Sequence, residues 1–389
     1  MSVSEDLFNV DTLPAYIANA GLLREAGNLT AVEISGGNLN YSFRVSGNDS
    51  GQSIFVKQTP GYVKVLGPTA QLSNERMLLE RQAYVEWANA LKAAPEAARS
   101  LPELMHFDPE RMVLVMEYLG SYELLQEQLM RGQASEPIAR ALGQFLGAAH
   151  AATHSSLVSL ERSAYLADRF SNRDLRDLQL EYVFSKPFRE SERAEELRKD
   201  ECFMSEVENL KASYRGLVKD NLVLCHGDLH PGSVMASKNP VTDSSSPIKV
   251  IDPEFAIYGP PGLDLGCLLS GFALAAVYHA EERTGAVVRE LLTSAAAIWE
   301  AYAAAMSAGG VSSSILDAIS SDAAGFAGCD VARTALGFAG VRGLPIDDEA
   351  AKARAEGKAL AIAAECISQP TTRSVNSLLA SLEPLENCT

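Results

Sequence analysis

The chain has 389 residues, 47% hydrophobic and 21% charged, with 33 basic against 50 acidic side chains and a formal net charge of −17. That length suffices for two lobes with separate cores, and the acidity excludes nucleic acid and an anionic membrane as main partners, because both select basic surfaces. Six scattered cysteines without a CxxC pair match a reduced, cytoplasmic protein with no disulfide framework, and the acidic start MSVSEDLFNVDTLP carries no secretory apolar stretch.

In chain order, VDTLPAYIANAGLL predicts a short helix with Thr12 as N-cap ahead of Pro14. AVEISGGNLNYSFRV, the polar turn SGNDSGQ and SIFVKQT predict a small antiparallel sheet. LSNERMLLERQAYVEWANAL has helical spacing with Ser73 or Asn74 as cap, and LPELMHFDPERMVLVMEYLG gives two more strands around the turn DPER. From about residue 122 the pattern is helical, through LLQEQLM, EPIARALGQFLGAAHAATHSS and a charged helical stretch from Arg189 to Leu217. A polar segment over 222–258 interrupts it, and alanine-rich helix follows to about residue 367. The apolar run LGCLLSGFALAAVYHA is shorter than the roughly 18 to 20 residues that span a bilayer, so it predicts a buried helix. The composition of the tail SQPTTRSVNSLLASLEPLENCT leaves its order open. Residues 1–120 form a β-rich N-lobe and 121–389 a helical C-lobe that holds the acceptor-binding region, an α+β arrangement.

The chemistry concentrates in LCHGDLHPGSVM (224–235), where a β-hairpin is expected to begin, and in KVIDPEFAIYGPPGLDLG (249–266). SVMA is expected to pair with IKVI across the Ser-rich tip KNPVTDSSSP, which brings Asp228 and Asp252 together. Converging carboxylates call for a cation, and hard oxygen ligands favour Mg²⁺. The series Asp228, Ser233, Asp252 follows the protein-kinase order of a catalytic Asp, a metal-binding residue five positions on, and a metal-binding Asp after a strand. Ser233 would offer one oxygen there. The plain alternative makes both aspartates turn residues at strand ends.

The N-lobe supplies the other half. Lys57 in IFVKQ follows the turn SGGNLN, where Gly36 and Gly37 permit close backbone approach to phosphates and Asn38 and Asn40 add polar contacts. Glu75, Glu80 and Glu86 are candidates to orient Lys57, and spacing favours Glu80. MVLVMEYLG is read as an inter-lobe hinge whose backbone at Glu117, Tyr118 and Leu119 hydrogen-bonds an adenine. His226 and His230 are expected to hold their loop through backbone hydrogen bonds, with Asp264 as its structural support. His150 and His154, four apart on a helix, have a spacing that can bind zinc but show no third ligand, so packing is the expected role.

HGDLHPGS and VIDPEFAIYGPPGLDLG, with GGNLNYSF and VKQTPGYVKVLGP, resemble the aminoglycoside-phosphotransferase and choline-kinase-like superfamily. More closely they resemble the S-methyl-5-thioribose kinase family, over about residues 10–367. The resemblance implies a bilobal protein-kinase-like fold, and a homodimer. It implies transfer of the γ-phosphoryl of ATP, with Mg²⁺, to the anomeric hydroxyl of 5-methylthioribose in methionine salvage. It also implies Asp228 as base at the acceptor, Asp252 and Glu254 as Mg²⁺ ligands, Lys57 on the ATP phosphates and Arg333 on the sugar. Two departures bear on the acceptor: Thr334 stands where the family has a second arginine, and Pro231 where its loop has threonine. Other acceptors left open are another 5-substituted ribose such as 5-deoxyribose, a choline-like amino alcohol or an aminoglycoside. Outside catalysis, a nucleotide-binding pseudokinase scaffold is the alternative.

Overall fold

A computed structural model describes residues 7–23, 29–48, 50–216, 221–240, 246–282, 284–339 and 344–387. The chain divides into two compact units, one of residues up to Glu86 with Leu101–Ser121, the other of Trp87–Ser100 with everything from Tyr122 onward. Residues 87–100, expected in the N-lobe, therefore belong with the C-terminal unit. There the Trp87 ring lies nearly parallel to His226 at 6.1 Å and edge-on to Phe145 at 6.2 Å. The segment's end is tied by Val250 N donating to Ser100 O at 2.8 Å.

The first unit is a five-stranded antiparallel sheet. Its strands are β1 (Leu29–Glu33), β2 (Tyr41–Gly47), β3 (Ser53–Gln58), β4 (Leu104–Asp108) and β5 (Val113–Glu117), in the order β1-β2-β3-β5-β4. Alternation puts Phe43, Val45, Ile54, Val56, Val113 and Val115 on one buried face, where Phe8, Leu13 and Ile17 cover them. The helix Leu13–Asn19 forms as expected, but Thr12 makes no side-chain cap. Asn9 instead orders the turn ahead of the helix, its Oδ1 accepting from the N–H groups of Asp11 and Thr12 at 2.9 Å each. At the DPER turn, Asp108 Oδ1 accepts from Glu110 N and Arg111 N, and Met112 takes φ +48°.

The second unit is mainly helical. The helix Gly262–Glu281 has 20 residues, more than the apolar run alone indicated, and is long and apolar enough to cross a membrane. Its apolar window is 83% buried inside the protein, which makes it a core helix. The charged stretch after Arg189 is not one helix but pieces: Lys186–Glu190, Glu195–Lys199 and Glu201–Tyr214, the last capped by Asp200 Oδ1 accepting from Phe203 N. Its end at Leu217 lies outside the described residues, as does Cys388. The C-terminal segment folds as helix Val375–Leu382, started by a capping box between Ser374 and Ser377 and buried at Leu378 and Leu382.

One helix pair sets the spacing of this unit. On Glu136–Thr153, a Cβ at Gly143 would overlap Ile298 O, and one at Gly147 would sit 2.6 Å from Tyr302 O, both on Gly285–Ala308. Gly357, on the exposed face of helix Glu349–Ser368, has nothing within reach of a Cβ. The same substitution therefore has opposite signs at these positions. Gly143→Ala is expected to lower unfolding free energy by about 1–3 kcal/mol through overpacking. Gly357→Ala is expected to raise it by about 0.5–1 kcal/mol through helix propensity. Urea denaturation of both variants checks this; equal effects would refute the close approach.

Candidate active site

In the first unit, Lys57 sits on the central strand β3, opposite Ser42 of β2 and Leu114 of β5. Its Nζ lies 2.7 Å from Glu80 Oε2 on the helix Arg76–Ala90, with the two side chains 3% and 0% exposed. Of the three glutamates weighed for this role, Glu80 makes the pair, while Glu86 accepts from Gln82. Burying both charges costs several kcal/mol per ion before their attraction repays it, so such a pair is weak evidence for stability.

The connector between β1 and β2 exposes Gly36 (φ +112°), Gly37 and Asn38. Its base is locked. Asn38 O accepts from Val65 N at 3.1 Å, and Asn40 Oδ1 accepts from Thr59 Oγ1 at 3.0 Å and Arg76 Nη2 at 3.1 Å. Arg76 also donates to Leu39 O and Pro60 O, so this 3%-exposed arginine fastens the loop to the helix. Arg76 was not singled out in the sequence; its one signal is a guanidinium one turn ahead of Glu80 on the same helix face. At the segment read as a hinge, Glu117 N donates to Glu103 O at 3.0 Å and is thereby engaged, and the Arg44 guanidinium lies over the Tyr118 ring at 4.7 Å.

In the second unit the short strands are β6 (Tyr122–Leu124), β7 (Val223–Cys225), β8 (Val234–Ser237), β9 (Ile248–Val250) and β10 (Ile257–Gly259). LCHGDLHPGSVM is not a hairpin: β7 pairs with β10, while β8 lies between β6 and β9. The expected β8–β9 pairing forms, with Val234 opposite Val250, although residues 241–245 of its tip lie outside the described residues. This register lets Ile251 N donate to Ser233 O at 3.0 Å. Ser233 Oγ in turn donates to Asp228 O at 2.9 Å. A second tie runs through His226, whose Nδ1 accepts from Asp228 N at 3.3 Å. Its Nε2 must then carry the proton it donates to Ile251 O at 2.8 Å. Asp228 is thus bound by two routes to the residue before Asp252.

Both ends of this arrangement use unusual backbone. Asp252 is left-handed at φ +61°, ψ 47°, although Pro253 follows it; a non-glycine residue held so costs about 1–3 kcal/mol. Asn172, also left-handed, donates from Nδ2 to the carbonyls of Glu254 and Ala256. Gly227 has φ +87°, and a Cβ there would overlap Phe255 O. Its carbonyl accepts from Gln179 Nε2 at 2.8 Å, and Gln179 Oε1 accepts from Tyr214 OH at 2.6 Å. His230 Nδ1 accepts from Gly232 N at 2.9 Å, and its Nε2 lies 3.6 Å from Asp228 Oδ2.

Asp264, in the first turn of Gly262–Glu281 and 0% exposed, accepts from His226 N at 2.6 Å and Gly227 N at 2.8 Å. His150 Nε2 lies 3.2 Å from the same carboxylate, and Tyr302 OH 3.1 Å from His150 Nδ1. A carboxylate only accepts, so Nε2 bears the proton and Nδ1 receives the tyrosine's. Burial pushes the Tyr302 hydroxyl well above its ordinary pKa, which keeps it a donor. Cys225 joins His150 and Asp264 with ligand atoms within 4.8 Å of one another, a third group that the sequence did not reveal. Burial, then the charge of Asp264, push its thiol up. Protonated, it bonds to Pro260 O. This is a closed polar network in which each group already has a protein partner. His154 is separate, bonded to Asn221 Oδ1 and Ser156.

Two open cavities adjoin the loop. One of about 300 Å³ is lined by Gly227, Asp228, Phe184, Cys267 and Asp330. The other, about 590 Å³, is lined by His230, Pro231, Cys267, Asp330, Arg333 and Thr334 among apolar side chains. Asp228, 15% exposed, thus lines the smaller of these open cavities. Asp228, Asp252, Glu254 and Ser233 offer oxygen donors alone, a set suited to a hard divalent cation such as Mg²⁺.

Comparison with known proteins agrees with this geometry. Residues 30–305 match the family model described as "Phosphotransferase enzyme family". The methylthioribose kinase of Bacillus cereus (strain AH820) is 31% identical over 374 residues, covering 92% of this chain and 91% of that one. That of Bacillus pumilus (strain SAFR-032) is 30% identical over 348 residues, covering 84% and 83%. Among solved structures, choline kinase from Cryptosporidium parvum Iowa II superposes with a TM-score of 0.54 at 13% identity, over 97% of this chain and 99% of that one. Plasmodium vivax ethanolamine kinase gives 0.50 at 13% identity, over 93% and 91%; at such identity these two establish the protein-kinase-like fold alone. With the family model matched over most of its length and homologues of this similarity, the chain belongs to the phosphotransferase enzyme family, as a homologue of the methylthioribose kinases.

Proposed function

We propose that this phosphotransferase transfers the γ-phosphoryl group of ATP to the anomeric hydroxyl of 5-methylthioribose, a cytoplasmic step of methionine salvage. The observation that carries the reading is the loop 226–233, fastened by Asp264, which holds Asp228 at a cavity and ties it to the strand end at Ile251. The names of the curated relatives support the acceptor.

In this reading Asp228 accepts the proton of the attacking hydroxyl, or orients it for in-line attack. Asp252, Glu254 and the Ser233 oxygen would hold Mg²⁺, which when bound neutralises charge on the transferring phosphoryl group. Lys57, aimed by Glu80, contacts the nucleotide phosphates, which lie against the exposed backbone of Gly36, Gly37 and Asn38. The Glu117 carbonyl and the Leu119 N–H, on either side of Tyr118, are the backbone groups a purine edge would use. Arg333 contacts the sugar.

ATP turnover against methylthioribose, 5-deoxyribose, choline and kanamycin tests the reading; turnover of an amino compound alone would overturn it. Asp228→Asn is expected to lower turnover with methylthioribose by about 10²-fold or more while ATP binding persists. Parental kinetics in that variant would remove Asp228 from the chemistry. Glu80→Ala, which strands a buried lysine, is expected to cost about 3–5 kcal/mol of stability. The double variant Lys57→Met/Glu80→Leu should recover much of that stability yet stay inactive. Thermal unfolding beside the activity assay checks both, and an active double variant would show the pair to be structural.

A further inference from the structure

We propose that Asp330, acting with Arg333, reads the acceptor's hydroxyl groups and selects an acceptor that is uncharged and carries an apolar substituent. This rests on the reading above that the cavity beside Arg333 takes the acceptor. Position is the first ground. The Asp228 cavity and the larger cavity share two residues, Cys267 and Asp330, and Asp330 alone of these is charged. It therefore stands where an acceptor reaching from Arg333 toward Asp228 has to pass.

The second ground is unfilled hydrogen-bonding capacity. Asp330 and Arg333 are three apart on helix Ser313–Ala335, with Asp330 Oδ1 2.8 Å from Arg333 Nε and the side chains 13% and 11% exposed. The approach is off the N–H axis, so the buried Nε forms no hydrogen bond despite its charged neighbour. A buried donor left so costs free energy, which makes the pair poor evidence for a purely stabilising bridge. A sugar hydroxyl both donates and accepts, so a carboxylate and a guanidinium held side by side can engage a vicinal diol, the one accepting and the other donating.

Charge narrows the class further. Alone, Arg333 would draw an anionic acceptor, but Asp330 cancels it, and Thr334 brings no second charge. Asp330 and Arg333 carry opposite charges in the larger cavity, so the pair itself favours neither an anion nor a cation. Beside the polar Gln126, His230, Ser270 and Thr334, the wall presents Leu129, Met130, Leu274, Leu344 and Pro345, placed to take a thioether or alkyl group.

Steady-state kinetics of the parent, Asp330→Asn and the charge swap Asp330→Arg/Arg333→Asp, each against the same four acceptors, test the proposal. Asp330→Asn is expected to raise KM for methylthioribose by on the order of 10- to 100-fold, while KM for ATP moves less than about twofold. The swap keeps an ion pair and hence the fold, which thermal unfolding verifies, yet exchanges donor and acceptor, so it is expected not to restore the acceptor KM. A parental acceptor KM in Asp330→Asn, or its recovery in the swap, would reduce the pair to a structural bridge and overturn the proposal. Should the parent turn over only choline or kanamycin, the proposed function and the uncharged class both fall. The variants measured with that compound then still decide whether Asp330 contacts the acceptor. A parent that turns over none of the four overturns both readings.

Discussion

The C-terminal unit depends on a single buried carboxylate. Asp264 has no exposure to water, and a lone ion in that position would cost several kcal/mol. It is repaid by two backbone N–H groups, by the imidazole of His150 and by its place in the first turn of a helix, where the dipole favours negative charge. Hydrogen bonds to a charged acceptor contribute about 1.5–3 kcal/mol each, so two or three offset the desolvation. The compensation works only if His226 and Gly227 turn their amides toward Asp264. That requirement, with the left-handed Gly227, fixes the direction in which the chain leaves for Asp228. The link reaches into the packing: Tyr302, which backs His150, lies on the helix whose approach is set by Gly143 and Gly147.

Polar groups are spent in two ways across the molecule. His226, Asn172, Gln179 and Arg76 spend hydrogen bonds on backbone, and so make loops rigid without offering chemistry. Asp252 is the opposite case. Its left-handed conformation before a proline is disfavoured twice. Strain of this kind persists where the surrounding structure enforces it, as the ties at Ile251 and the Asn172 bonds to the next turn do here.

Much of this was legible in the sequence, and the misses have physical causes. The N-terminal sheet was readable because its strands alternate over five to seven residues, and Lys57 with Glu80 because strand and helix periods put them on facing sides. The partner of β7 was not readable. Three-residue strands carry no periodicity, and the register to β10 is set by loop ties and by Asp264. Residues 87–100 crossed to the other unit because Trp87 packs there, and helical spacing continues through Trp87 with no break to mark a boundary. Asp330 escaped notice since an acid three residues before an arginine is the pattern of any solvated helix face. Only the cavity walls distinguish it.

The two departures from the family's motifs converge on one place, and this bears on what the chain selects. Pro231 presses against Gly271 so closely that a Cβ at 271 would overlap the proline ring, and both residues line the larger cavity with Thr334. Proline at 231 removes a hydroxyl, and threonine at 334 removes a cation and turns its own hydroxyl inward to Asp330 O at 2.9 Å. Each change subtracts polarity from the same wall, and Asp330 cancels the cation that remains. Concentrated around one cavity, they bear, in the proposed reading, on recognition of the acceptor and not on the loop that holds Asp228.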